Sequence, residues 1–365
     1  MGCRRLAMEG GLVLVRPPAM YVLGDSTLDV GNNNYLRGAD VPRANRRYYG
    51  IDFPGRIPTG RFSNGYNTAD YVAKSMGFLS SPPPYLALSS SLVARTALAT
   101  GVNYASADAG ILDSTVEYFN TTRAKMVAAV GSAAVEALLA KSIVLMGVGS
   151  NDLFVFAASE AARNSDAAAL FADLISNYSA TITSMMGSSF SARHFFPSSL
   201  DEEEELYAMG ARKFAIINVG LVGCVPAVRV LDKAGACADG LNQLAAGFDA
   251  ELRSLLAGLA PKLSGFVYSL ADSFGLTQST FADPQASGYT DIAGACCGSG
   301  RLLAEADCFP NATLCSAVSE VRDQHVFWDR YHPAQRACLL TAEAFYDGPA
   351  QYTTPINFKQ LAQST

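Results

Sequence analysis

Histidine is scarce in this chain. Three occur in 365 residues, His194, His325 and His332, so any chemistry that needs an imidazole has three places to find one. Charge is sparse as well: 16% of residues are Asp, Glu, Lys or Arg, and the balance is −6. That leaves no basic stripe of the kind a nucleic-acid partner requires. No apolar run approaches the ~20 residues of a spanning helix, which excludes an integral helical membrane protein. The Gly-x-Ser-x-Gly turn of the larger α/β-hydrolases is missing. So are internal repeats, interdomain linkers and the paired Cys-x-x-Cys spacing of zinc knuckles.

Half of the residues are apolar, enough for a large core. The length admits two domains, but α/β layers run this long as one. Short apolar runs at 19–23, 101–104, 142–146, 213–218 and 265–270 read as buried strands. Helical spacing falls between them at 66–76, 126–140, 167–186 and 241–259, with Asn64 as the expected cap of the first. A last helix is expected over 333–345, with Pro333 at its first position. Strands alternating with helices indicate a parallel sheet covered on both faces, with sites beyond the carboxyl ends of the strands. The expectation is a poorly ordered segment over 1–18, one domain over 19–350 and a tail over 351–365. Residues 187–205 (GSSFSARHFFPSSLDEEEE) break the pattern and read as a disordered surface loop or an unspliced intron. The Pro82-Pro83-Pro84 run is expected to stiffen a loop.

Seven of the eight cysteines, Cys224, Cys237, Cys296, Cys297, Cys308, Cys315 and Cys338, fall in the second half, and Cys3 stands alone. Disulfides in an oxidising compartment are the expected use, with the pairing left open. Sequons at Asn120, Asn177 and Asn311 fit surface glycosylation. The first twenty residues carry Arg4 and Arg5 but only Leu12-Val13-Leu14-Val15 as an apolar stretch, short of the roughly 7–15 residues of an export signal. Export from a different first exon, or a gene model begun at the wrong methionine, would reconcile the two; the second is favoured.

Three separated stretches carry the chemistry: Gly24-Asp25-Ser26, Gly149-Ser150-Asn151-Asp152 and Asp329-Arg330-Tyr331-His332. A serine hydroxyl is a weak nucleophile and needs a neighbouring base. Ser26 follows a strand and would be presented at the sheet edge, although a turn or cap serine has the same local look. His194 lies in the foreign segment, and His325 precedes the apolar Val326-Phe327-Trp328, as a core histidine would. His332 has Asp329 three residues before it, a spacing that brings a carboxylate to one ring nitrogen and leaves the other to face Ser26. A capping turn would use the same pair. Asn151 can aim an amide N–H at a developing oxyanion, or close an Asx-turn. A backbone N–H from the small-residue turn 105–110 would complete such a hole.

These residues resemble the plant GDSL esterase/lipase family of the SGNH hydrolase superfamily. LGDSTLDVGNNNYL, GVNYASADAGILD, GVGSND and FWDRYHPAQRA look like its four blocks, and GRFSNG, GARKFAIINVGLVGCVP and ACCGSG follow its pattern between them. The resemblance runs from Tyr21 to about Tyr346. It implies a three-layer α/β/α fold of the SGNH hydrolase, flavodoxin-like kind on a five-stranded parallel sheet. It implies catalytic Ser26, Asp329 and His332, and an oxyanion hole from Ser26, Gly110 and Asn151. Thr27 stands where the family name has leucine, and Asp108 where the second block usually has a further glycine, so Gly110 becomes the candidate backbone donor. The expectation is a secreted, monomeric serine esterase without metal or cofactor. It would act through an acyl-enzyme on lipid, cutin-type, acetylated-polysaccharide or small phenolic esters, with no nucleic-acid partner. Acyl transfer, a non-catalytic cell-wall binding protein and a cytoplasmic esterase with reduced thiols are the alternatives.

Overall fold

The computed structural model describes residues 16–111, 115–159, 167–186 and 209–364. The segment 187–205, residues 1–15, Cys3 and His194 lie outside the described residues. Four parallel strands form the sheet in the order β1 (Met20–Gly24), β2 (Ile143–Gly147), β3 (Lys213–Ile217) and β4 (Val267–Ala271). Their side chains alternate between two cores, as a period of two requires. Tyr21, Leu23, Val144, Met146, Phe214 and Ile216 enter one core with helices Ala167–Met186 and Asp239–Leu259. Met20, Val22, Ile143, Leu145 and Ala215 enter the other with helices Thr68–Ser75 and Gln335–Asp347. Burial on both faces explains why β1 and β2 read as unbroken apolar runs. Truncating a fully buried anchor such as Phe248 to alanine would cost about 3–5 kcal/mol.

The α/β/α layering holds, and the sheet has five strands, but the fifth comes from elsewhere. It is Thr353–Thr354, antiparallel to β4. The expected tail is therefore part of the body, with Phe358 and Leu361 fully buried in the helix Phe358–Gln363. The stretch expected as a strand at 101–104 instead runs beside β1. Met20 N–H donates to Thr100 O and Val22 N–H to Val102 O, while Tyr104 and Ser106 donate back to Val22 O and Gly24 O. Beyond it Asn103 bridges to Pro84, so the proline run closes this edge with residues that cannot donate to a further strand.

Local signals moved some boundaries. The helix expected over 126–140 is two helices, Thr115–Val130 and Ser132–Leu139, broken at Gly131 with φ 84°. Asn67, not Asn64, caps helix Thr68–Ser75, in a reciprocal box with Asp70. Asn64 instead accepts the Gln335 N–H at the start of the last long helix, which begins two residues after Pro333.

Candidate active site

Glycine ends β1 for a steric reason. A Cβ on Gly24 would lie 2.6 Å from Gly147 O and 2.8 Å from Leu28 Cδ1, so another residue would push the following turn off β2. In that turn Leu28 and Asp29 N–H groups return to Asp25 O, and Ser26 is left at the tip. Asp25 is buried, which pushes its carboxyl up, and its Oδ1 accepts from Thr27 N–H at 2.9 Å and Thr27 Oγ1 at 2.7 Å. The threonine in the leucine's place thus gives Asp25 a second donor.

The base arrives from the other end of the chain. Strand His325–Phe327 leads into the fully buried Trp328, and the next four residues form a turn around Asp329. Asp329 Oδ1 accepts the N–H groups of Tyr331 and His332, each at 2.9 Å, and lies 2.7 Å from His332 Nδ1. Its Oδ2 accepts the Tyr49 hydroxyl at 2.8 Å. His332 Nε2 is 2.8 Å from Ser26 Oγ. Phe62 packs its ring 4.8 Å from the imidazole. Burial pushes the Asp329 carboxyl up, but the His332 charge and these hydrogen bonds outweigh it and hold it below the usual carboxylate value. Burial likewise pushes His332 down, yet the carboxylates of Asp329, Asp25 and Asp108 lift it above an ordinary imidazole. From behind, Cys296 and Cys297 donate their N–H groups to Trp328 O at 3.1 and 2.7 Å. Both belong to disulfides, Cys296–Cys315 and Cys297–Cys308, and a third joins Cys224 to Cys237.

An asparagine cluster brings the third part in. Asn32 donates to Asn103 O at 2.9 Å and Ala105 O at 2.8 Å, Asn103 donates to Leu28 O, and Asn33 Oδ1 accepts the Ala107 N–H at 3.0 Å. The segment 103–107 is thereby clamped to the Ser26 turn, and Asp108 follows with φ 66°, a left-handed conformation that Asp tolerates better than most residues. Asn151, in the first turn of helix Ser150–Ala158, donates one amide N–H to Ala109 O at 2.9 Å. Among the described residues, no hydrogen bond from the backbone N–H of Ser26 or Asp108 to the protein is found.

Ser26, Asp108, Asn151, Asp329 and His332 line one cavity of about 2020 Å³. Gly110 does not. It lies against Asp152, whose Oδ1 would be 2.6 Å from a Cβ there and whose Oδ2 accepts the neighbouring Ile111 N–H at 3.0 Å. The Asp152 carboxylate holds residues 110–111 away from the cavity, while the left-handed turn puts Asp108 into it. His325 is also outside, with Nδ1 3.6 Å from Asp291 Oδ2. The sequence reading missed Tyr49 and Phe62. Phe62 lies within the GRFSNG stretch already singled out, whereas nothing local marks Tyr49.

Comparisons with known proteins give the family. The family model "GDSL-like Lipase/Acylhydrolase" matches residues 20–345. GDSL esterase/lipase At5g55050 of Arabidopsis thaliana is 33% identical over 95% of this chain and 90% of its own length. GDSL esterase/lipase At2g23540 of the same plant is 33% identical over 94% of this chain and 87% of its own. Among solved structures, phospholipase A1 from Streptomyces albidoflavus NA297 is 14% identical over 90% of this chain and 96% of that one, with a TM-score of 0.29. With the family model spanning residues 20–345 and plant relatives matched over 87–90% of their own length, the chain belongs to the GDSL lipase/acylhydrolase family and is a carboxylic ester hydrolase.

Proposed function

We propose that the chain cleaves carboxylic esters through an acyl-enzyme on Ser26. The observation that carries this is the relay Ser26 Oγ–His332 Nε2 at 2.8 Å and His332 Nδ1–Asp329 Oδ1 at 2.7 Å, closed by side chains 306 residues apart. Ser26 Oγ attacks the carbonyl carbon as His332 Nε2 takes its proton. Asp329 keeps the remaining ring proton on Nδ1 and stabilises the imidazolium. The oxyanion sits between the backbone N–H groups of Ser26 and Asp108 and the second amide N–H of Asn151. Each such donor is worth about 2.7–4 kcal/mol of barrier. His332 then gives its proton to the departing alcohol, and a water activated by the same nitrogen releases the acid. Asp108 takes the backbone role that the family resemblance had left to Gly110.

Phe154, Val222, Val225, Phe281, Phe327 and Leu340 line the same cavity as Ser26 and favour an ester with a long apolar acyl chain. Three disulfides, with exposed sequon asparagines at Asn120 and Asn311, support a secreted glycoprotein.

The test is labelling of the purified chain with a fluorophosphonate, mapped by peptide mass spectrometry and repeated with Ser26→Ala. A label on Ser26, lost in the variant together with ester hydrolysis, is the expected result. A folded chain that hydrolyses esters with Ser26 unlabelled, or that keeps its turnover as Ser26→Ala, overturns the assignment.

A further inference from the structure

Two arginines of the cavity that holds Ser26, Arg46 and Arg330, meet at the segment 307–309, where one carboxylate serves both. Arg46 donates its Nε–H to Cys308 O at 3.0 Å, and its guanidinium stacks on Phe309 at 4.6 Å and over Tyr49 at 5.5 Å. Arg330 meets Asp307 at 3.5 Å, longer than the about 2.7–2.9 Å of a strong charge-assisted bond. The Arg330 Nε–H is buried without a hydrogen-bond partner among the described residues. Asp25, Asp40, Asp108, Asp283 and Asp329 also line the cavity, yet among the described residues none forms an ion pair with Arg46. Positive charge on this wall is therefore under-compensated. Arg43 and Arg336 line the cavity too, with their donors turned to Leu36 O and Gly38 O, and to Ser287 O.

Arg46 stands where an ester would feel it. Its charge and a hydrogen bond act on the Tyr49 hydroxyl, which donates to Asp329 Oδ2, and Asp329 holds His332. Arg46 thus approaches the triad from the Asp329–His332 end. His332 gives its proton to the departing alcohol in the mechanism above, so the alcohol part of the ester lies at that end. The anchoring by Cys308 O and two aromatic rings fixes the guanidinium plane, and NH1 and NH2 present further donors to the cavity. A planar guanidinium matches the two oxygens of a carboxylate, and holding it in place beforehand lowers the cost of binding one.

On the ester-hydrolase reading above, we propose that Arg46 selects esters whose alcohol part carries a carboxylate. The acyl part takes the apolar wall, and the carboxylate of the alcohol pairs with Arg46, with Arg330 adding charge beside it. Hydrolysis then releases an uncharged-tailed acid and a carboxylate-bearing alcohol.

The experiment compares two esters of one size, 4-(butanoyloxy)benzoate and 4-(butanoyloxy)benzamide, each rate divided by that with hydroxide. At about pH 8 the benzoate is ionised and the amide is its neutral match. The chain should favour the benzoate in kcat/KM by about tenfold or more, the discrimination of one charge-assisted hydrogen bond. Arg46→Gln should bring the ratio close to one, and Arg46→Lys, which keeps the charge, should retain part of it. Equal kcat/KM for the two esters in the unaltered chain overturns the proposal. So does an Arg46→Gln variant that slows both esters equally, which would leave Arg46 only a positioning residue acting through Tyr49. Calorimetry in the Ser26→Ala background gives a readout without turnover: the benzoate ester should bind about tenfold tighter than the amide, and lose that margin when Arg46→Gln is added. A chain inert towards both esters would refute the hydrolytic reading, while the calorimetric margin would still judge Arg46.

Discussion

Tyr49 donates its hydroxyl to Asp329 Oδ2 at 2.8 Å, across 280 residues of chain. Burial and the Asp329 charge push the phenol well above its ordinary value, so Tyr49 stays a donor at any working pH. Hydrogen bonds to a charged acceptor are worth about 1.5–3 kcal/mol, and Tyr49→Phe should lower kcat by about tenfold or more with little change in KM. With one donor fewer, Asp329 holds the imidazolium proton more tightly, so the acidic limb of the kcat/KM profile should move to higher pH. A purely structural tyrosine would lower stability and leave that limb in place.

Asp108 acts on the same histidine through its charge. In the proposed mechanism His332 must be neutral to accept the serine proton, and its ionisation lies above the ordinary 6.5 partly through the Asp108 charge. Activity is therefore lost as pH falls through a value higher than for a free imidazole. Asp108→Asn keeps a residue tolerant of the left-handed turn and removes the charge. The acidic limb should move down, and kcat on an uncharged ester should rise as repulsion of the oxyanion is relieved. An unchanged profile in stopped-time assays from pH 5 to about 9 would detach Asp108 from His332.

The Cys297–Cys308 bridge should affect rate as well as stability. Closing 11 residues, it is worth about 2–4 kcal/mol by loop-closure entropy. Because Cys297 N–H also holds Trp328 O at 2.7 Å, its loss loosens the turn that carries Asp329 and His332. The paired Cys297→Ser, Cys308→Ser variant, assayed well below its Tm, should lose about tenfold in kcat, the scale of a misplaced base. Full activity in the folded variant would limit the bridge to stability.

Asp249 should make stability pH-dependent. It is buried in helix Asp239–Leu259, its Oδ1 accepts the Val219 N–H at 3.0 Å, and its Oδ2 has no hydrogen-bond partner among the described residues. Burial pushes its carboxyl up to about 8. The folded chain therefore holds a proton that the unfolded chain has released above about pH 4. Stability falls as pH rises from there towards 8, by at most ~1.4 kcal/mol per pH unit. Asp249→Asn should flatten this slope in urea titrations, and a slope that survives the substitution would assign it to other groups.

The layers and the motif residues were legible because both are local. Alternation of short apolar runs with helical spacing places β1 to β4, and Ser26, Asn151, Asp329 and His332 each stand in a recognisable stretch next to one of these elements or a turn. Asp329 and His332 are three residues apart, so their pairing needs no knowledge of the rest of the chain. Thr353–Thr354 was not legible, because two residues carry no periodicity and become a strand only when β4 offers an edge. Nor was Tyr49, whose place beside Asp329 depends on a contact between residues 280 positions apart in the chain. Gly110 and Asp108 show the limit most sharply. The family resemblance left the glycine as the candidate donor, whereas in the fold Asp108 lines the cavity and Gly110 lies against Asp152 outside it. The residue types and their order determined what chemistry was available; packing between distant segments decided which backbone and side-chain groups meet, since no local pattern encodes a contact across hundreds of residues.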